Sequence, residues 1–209
     1  MTVSRTLLVM LALAGAALLL LLRPSGSGAA PSGQKLAAAV FAGGCFWCTE
    51  SDFDHIPGVV STTSGYTGGR VADPTYEQVS AGRTGHIEAV RVVYDPAKVS
   101  YQTLVARFFR TVDPLDGGGQ FCDRGDQYRT AIFVANPAER RIAEATKGRA
   151  AALLRKPIAT LVLPAGRFYA AEAYHQDYYR KNPVRYRYYR TACGREARLT
   201  AIWGKSAGH

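Results

Sequence analysis

Residues 35–54 leave this chain few ways to fold. A short apolar strand over 35–41 runs into Ala42-Gly43-Gly44 and at once into a helix that starts near Cys45. Two glycines between a strand and a helix mark a sharp turn with close backbone approach. That turn delivers Cys45-Phe46-Trp47-Cys48 to a helix N-terminus. The first N–H groups of a helix lack helical partners and carry a partial positive charge, which favours thiolate over thiol and predicts an ionised Cys45. The two rings beside the sulfur could hold a small apolar group against it. Chemistry, rather than packing, is the expectation for this thiol.

The rest of the chain reads as alternating elements. Strands are expected over 59–64, Ile87–Tyr94, 129–135 and 158–163. A helix capped by Ser100 carries Leu104, Val105, Phe108 and Phe109 on one face and ends at Asp113-Pro114. Asn136, Pro137 and Glu139 open another that runs to about 154. A short helix is expected over 170–180, and little regular structure beyond Pro183 before a last turn at 195–203. Residues 65–75 and 116–127 have the glycines and polar residues of loops. No repeat or linker divides the chain, and the expected class is α+β, a two-layer sandwich with a mixed sheet.

Residues 1–30 stand apart from a domain expected over 31–209. Arg5 precedes an unbroken apolar or small-residue run over 7–22, closed by Arg23-Pro24 and followed by small residues. This is the pattern of a secretory signal, and the run is shorter than the ~20 residues of a membrane span. An uncleaved anchor is the alternative; either way the protein is expected to be exported, periplasmic or membrane-anchored and facing outward. Composition, 47% hydrophobic and 20% charged, excludes disorder. Four cysteines are too sparse for a disulfide-stapled scaffold, so chemistry is considered first. The net charge of +10 gathers in the C-terminal segment, where Arg180, Arg185, Arg187, Arg190, Arg195 and Arg198 interleave with tyrosines. That pattern could bind nucleic acid, but no nucleic-acid module accompanies it, and a solvated segment with packed tyrosines is expected instead. Gly204-Lys205-Ser206 is no phosphate loop, since Leu199 stands where the first glycine belongs.

Other residues can carry chemistry. Alternation along Ile87–Tyr94 puts Glu88 on the face of Val90, Val92 and Tyr94. A carboxyl there is paired or has a raised pKa, unless the strand end is open to water. Tyr66, Tyr76 and Tyr128 fall in loops; a phenol donates a hydrogen bond without charge, or simply packs. Cys45 and Cys48 have a C-x-x-C spacing shared by redox dithiols and half-zinc sites, but Cys122 and Cys193 are isolated, so no metal is expected. Cys193 sits in a glycine-flanked tail and could swing onto another thiol. Of the histidines, His86 and His175 are candidates, His175 for a structural hydrogen bond.

Taken together these residues resemble the A-type peptide methionine sulfoxide reductases, which act on the S epimer of the sulfoxide. The matching stretches are Gly43-Gly44-Cys45-Phe46-Trp47, Gly65-Tyr66-Thr67-Gly68-Gly69, Pro74-Thr75-Tyr76 and Gly85-His86-Ile87-Glu88-Ala89-Val90. Tyr94-Asp95-Pro96, Asp123 with Gln127-Tyr128-Arg129, and Ala171-Glu172-Ala173-Tyr174-His175-Gln176 continue the series in order. The resemblance implies a ferredoxin-like core, Cys45 as nucleophile, and Phe46 and Trp47 as the pocket for the sulfoxide's methyl group. It implies that Glu88, Tyr76 and Tyr128 bind the oxygen and supply its proton, and that Asp123 orients substrate. Attack would leave a sulfenic acid on Cys45, resolved by a second thiol and recycled by an external dithiol such as thioredoxin, with no bound cofactor. Cys193, where family members often carry a recycling cysteine, is the expected resolving thiol. Cys48 and Cys122 could compete, although bonding Cys45 to Cys48 is expected to require a distorted helix. Implied substrates are oxidised proteins and free methionine S-sulfoxide, handled by a monomer that binds no nucleic acid. A periplasmic thiol–disulfide oxidoreductase using the C-x-x-C pair is the alternative.

Overall fold

Alternation of buried residues sets the central strands. Ala39 and Phe41 on strand β1 (Ala37–Gly43) share a face with Val90 and Val92 on β3 (Ile87–Tyr94) and Ile132 and Val134 on β6 (Thr130–Val134), all nearly inaccessible. The structure, a computed structural model, describes residues 35–208. The leader expected over 1–30 lies outside the described residues.

With β2 (Val59–Thr67), β7 (Leu161–Pro164) and β8 (Phe168–Ala170), these strands form a six-stranded mixed sheet in the order β7-β6-β1-β3-β2-β8. The β6–β7 pair is parallel and the other neighbours are antiparallel. Three helices supply the main partners of the core face: α1 (Phe46–Asp54), α3 (Tyr101–Thr111) and α4 (Pro137–Leu154), with a short α2 (Tyr76–Ser80) between β2 and β3. Phe41 stacks on Phe53 at 4.7 Å between ring centres and meets Phe108 at 5.3 Å. Burying each such ring contributes about 2–3 kcal/mol. The second face buries Ala42, Ile87, Ala89, Ala131 and Phe133, against Leu163 and Phe168. An α+β fold with a mixed sheet is therefore observed.

The caps fall where local chemistry puts them. Ser100 accepts from the Thr103 N–H at 3.1 Å, and Asn136 accepts from the Glu139 N–H at 2.9 Å. Thr75 and Gln78 form a capping box that starts α2 inside what the sequence suggested was the end of a loop.

The C-terminal segment differs from expectation. Residues 170–180 do not form one helix: β8 ends at Ala170, and only α5 (Tyr178–Lys181) is helical. Beyond it, α6 (Pro183–Ala192) and α7 (Arg195–Trp203) are regular helices. Helix α6 buries none of its residues completely and lacks an apolar stripe, so periodicity could not reveal it. Long-range ion pairs and ring contacts anchor it. Arg190 donates to Asp52 at 2.8 Å, and Arg195, 2% exposed, donates to Asp52 at 3.1 Å and to the Thr111 carbonyl at 2.6 Å. Arg195 is thus buried and Arg190 half-buried, while Arg180, Arg185, Arg187 and Arg198 stay exposed as a solvated segment would have them.

Strand directions decide where chemistry gathers. β3 and β6 both run antiparallel to β1, so their first residues lie at the end where β1 finishes. Gly43 pairs with Thr130, and Glu88 pairs with Tyr66 on β2. Cys45 after β1, Glu88 at the start of β3, Tyr128 before β6 and Tyr76 after β2 therefore converge at one end of the sheet.

Candidate active site

Gly44 makes the turn into the site with φ +81, and a Cβ there would lie 2.5 Å from Cβ of Gln120. Gln120 is fully buried and bonded to both the N–H and the carbonyl of Asp113, so the loop around it is fixed against the turn. Cys45 follows as N-cap of α1, with φ −48 and ψ 119. Its carbonyl takes the N–H groups of Cys48 and Thr49 at 3.1 and 3.2 Å. The Phe46 N–H donates instead to Glu88 Oε2 at 3.0 Å.

That arrangement corrects the expectation of an ionised Cys45. The first free N–H of the helix serves the Glu88 carboxyl, and no side-chain capping bond reaches Cys45. Burial pushes the Cys45 thiol well above its ordinary 9.0, and the neighbouring Cys48 and acidic groups add to it. Cys45 rests as a thiol. Desolvation outweighs the helix end because Cys45 is only 7% exposed.

Glu88, 2% exposed, is pushed up to about 8 chiefly by burial, against the opposing bond from Phe46. It is therefore mostly a neutral acid at neutral pH. Tyr76 is pushed up to about 12 by burial and by the charges of Glu88 and Cys45. Tyr128 is raised by burial and then by Glu88, Tyr76, Asp123 and Cys45, which sets both phenols among the same groups. Both stay protonated donors.

The rings build the other wall. Phe46 is buried, 4.9 Å from the His175 ring and 5.8 Å from Tyr66. Trp47 stacks on Tyr178 with centroids 3.7 Å apart, and its Nε1–H donates to His175 Nδ1 at 3.0 Å. His175 therefore orients Trp47, and burial lowers its pKa. Glu172 takes the Tyr66 hydroxyl and the Tyr76 N–H, each at 2.8 Å, tying β2 to the start of α2. His86 is a staple: it accepts from Gly69 at 3.1 Å and donates to the Val71 carbonyl at 2.8 Å.

The sequence missed Tyr189. Its hydroxyl donates to Asp123, and Cys45 is among the groups that raise its pKa after burial. Asp123, the expected substrate-side residue, lies in a two-residue hairpin of β4 (Gly119–Gln120) and β5 (Asp123–Arg124). Its carboxyl is raised by burial, against the bond from Tyr189. The one available signal was position: Tyr189 stands one helical turn before Cys193, inside a segment read as irregular. The expected resolving pair is also different. Cys193 is bonded to Cys122, with Cα atoms 4.9 Å apart, while Cys45 and Cys48 are free. Among the described residues no group of three or more His, Cys, Asp or Glu could hold a metal ion.

A buried thiol, a neutral carboxyl on the first N–H of the same helix, two protonated phenols and an aromatic wall suit transfer of an oxygen onto sulfur. The family described as peptide methionine sulfoxide reductase matches residues 37–207. The peptide methionine sulfoxide reductase MsrA 2 of Caulobacter vibrioides is 54% identical over 171 residues, 81% of this chain and 87% of its own length. Methionine sulfoxide reductase A of Corynebacterium diphtheriae superposes with a TM-score of 0.63 at 40% identity, over 71% of this chain and 76% of that one. Reduced Mxr1 of Saccharomyces cerevisiae gives 0.68 at 32% identity, over 71% and 87%. The same yeast protein has also been solved in complex with Trx2. On that match and these identities, the chain belongs to the peptide methionine sulfoxide reductase family.

Proposed function

We propose that this chain reduces methionine S-sulfoxide, in proteins and as the free amino acid, to methionine. The observation that carries the reading is the Glu88 carboxyl, neutral near pH 7 through burial and held on the first N–H of the helix that bears Cys45. A sulfoxide sulfur becomes electrophilic once its oxygen is protonated, and Glu88 is the acid for that step. Tyr76 and Tyr128 hold the oxygen without adding charge, and Phe46 and Trp47 receive the methyl group. Asp123, with Tyr189, orients the substrate.

The atoms balance. Cys45 sulfur bonds to the substrate sulfur as Glu88 protonates the oxygen, and the proton shed by Cys45 restores Glu88. Transfer of the hydroxyl to Cys45 breaks the substrate's S–O bond and the new sulfur–sulfur bond together, releases methionine and leaves a sulfenic acid. An intramolecular disulfide follows, recycled by an external dithiol such as thioredoxin; the Trx2 complex of Mxr1 is the parallel for that partner. Nucleophile, acid and phenols all come from one chain, which supports action as a monomer without a bound cofactor. The core reads as ferredoxin-like, supported by the order β6-β1-β3-β2 with helices after β1 and β3. Export is inferred from the signal-like residues 1–30, and the Cys122–Cys193 bridge suits an oxidising compartment.

The test is methionine release from peptides carrying S- or R-methionine sulfoxide, with a dithiol present, by wild type and Cys45→Ser. Release from the S epimer alone, abolished by the substitution, is expected. Equal action on both epimers, or an active Cys45→Ser, refutes the reading.

A further inference from the structure

Glu50 takes no part in the scheme above, yet it is 1% exposed and lies three residues beyond Trp47, on the same face of α1. A carboxyl buried that deeply is costly unless its oxygens are bonded. Arg180, on the neighbouring α5, pairs with Asp54 and Asp177 rather than with Glu50. Burial, then the charges of Asp54 and Asp177, push Glu50 up to about 7. What its Oε2 holds is the backbone N–H of Asp177, at 3.0 Å and 127 positions along the chain. Asp177 has φ +54 and ψ 32, a left-handed conformation that a residue with a Cβ rarely adopts. It is the N-cap of α5, and its side chain makes no capping bond. Tyr178 opens α5 and lies flat on Trp47, the ring planes 7° from parallel. Gln176, one position before Asp177, is tied to the N–H and the carbonyl of Ser64 on β2, each at 2.9 Å. The turn is thus gripped from the sheet at 176 and, at 177, from the helix that bears Trp47.

We propose that Glu50 is a positioning residue for the methyl pocket: by holding the backbone at Asp177 it keeps the Tyr178 ring flat against the Trp47 indole, and so maintains affinity for the sulfoxide. The inference rests on the sulfoxide reductase reading, in which Trp47 lines that pocket. Glu50 acts through Tyr178 and Trp47, not on the substrate. The bond needs only an acceptor, so a carboxylate, a carboxylic acid and an amide serve alike. Without it the Asp177 N–H is left unpaired, and the left-handed turn loses the partner that offsets its strain. Tyr178 then no longer lies flat on the indole, and the pocket wall loosens.

The experiment follows the first turnover without reductant against the concentration of methionine S-sulfoxide, which gives a maximal rate and a half-saturating concentration. Wild type is compared with Glu50→Gln, Glu50→Met, Tyr178→Leu and the double variant Glu50→Met/Tyr178→Leu. Gln and Met fill similar space, and only Gln supplies an oxygen acceptor. Glu50→Gln should match wild type within about twofold, whereas Glu50→Met should raise the half-saturating concentration roughly fivefold and leave the maximal rate within about twofold. Tyr178→Leu should raise it as well, and adding Glu50→Met should raise it no further, because the two residues act in series. A merely structural role would reduce the amount of active protein, leave half-saturation in place and add across the two sites. Wild-type half-saturation in Glu50→Met, equal damage by Glu50→Gln and Glu50→Met, or additive effects in the double variant overturns the proposal. Where Glu50→Met does not fold, wild-type half-saturation in Tyr178→Leu overturns it. A wild type that releases no methionine refutes the reductase reading instead, so the two failures are distinct.

Discussion

The Phe46 N–H and the Glu88 carboxyl meet at 3.0 Å, which ties the nucleophile's helix directly to the strand that carries the acid. The bond alone would lower the pKa of Glu88; burial is the larger effect, and the carboxyl ends near 8. One contact thus fixes the acid's position and leaves its proton in place. It also takes the helix N–H that an ionised Cys45 would have used. Reactivity therefore arises when the substrate arrives and Glu88 gives up its proton, not from a thiolate kept ready beforehand.

A stability cost should accompany that neutral acid. Folded Glu88 keeps its proton up to about 8, whereas an ordinary glutamate releases it near 4.5. The folded state then binds the extra proton between those values, so its stability falls as pH rises through that window. Glu88→Gln keeps an acceptor for Phe46 and removes the dependence. Chemical denaturation should show the variant level with wild type below 4.5 and more stable above 8 by a few kcal/mol at most. Parallel stability curves for the two proteins would contradict the assignment.

Trp47 is oriented by His175, its Nε1–H donating to Nδ1 at 3.0 Å. His175→Phe keeps a ring among Phe46, Trp47 and Tyr76 but removes the acceptor. Losing one such bond, about 1 kcal/mol, should lower kcat/KM for the sulfoxide roughly fivefold, mainly through KM. An unchanged KM would show that stacking on Tyr178 suffices to place the indole.

Asp52 holds two arginines, Arg190 at 2.8 Å and Arg195 at 3.1 Å, the second almost wholly buried. Asp52→Asn leaves the buried Arg195 without its counter-charge and Arg190 with Glu196 alone, and should cost about 3–5 kcal/mol in denaturant unfolding. Because Arg190 follows Tyr189, loosening α6 should also slow sulfoxide reduction. A loss below about 1 kcal/mol, as for an exposed pair, would contradict the central role given to Asp52.

The sheet and its caps were legible because their signals are local. The strand Ile87–Tyr94 follows from alternation alone, and Asn136, Pro137 and Glu139 open α4 as their types predict. The site was legible through Cys45 and Glu88, which sit where a strand meets a glycine turn or a loop. What escaped depends on distant partners. Helix α6 is secured by Asp52 and Asp123, residues far back in the chain, and its own pattern of arginines and tyrosines has no apolar period. The Cys122–Cys193 pairing and the bond of Tyr189 to Asp123 are likewise set by packing between segments. The protonation of Cys45 was misread for the same reason: a helix end is visible in sequence, whereas burial of the sulfur is not.

The most direct measurement is the rate of the first turnover against pH, for wild type and Glu88→Gln, with methionine S-sulfoxide saturating and no reductant. The wild-type rate should fall as pH rises through about 8, where Glu88 loses its proton. The variant should be slower by about 10²–10⁴-fold and lack that falling limb. A variant as fast as wild type, or one with the same decline near 8, would contradict Glu88 as the acid that hands its proton to the departing oxygen.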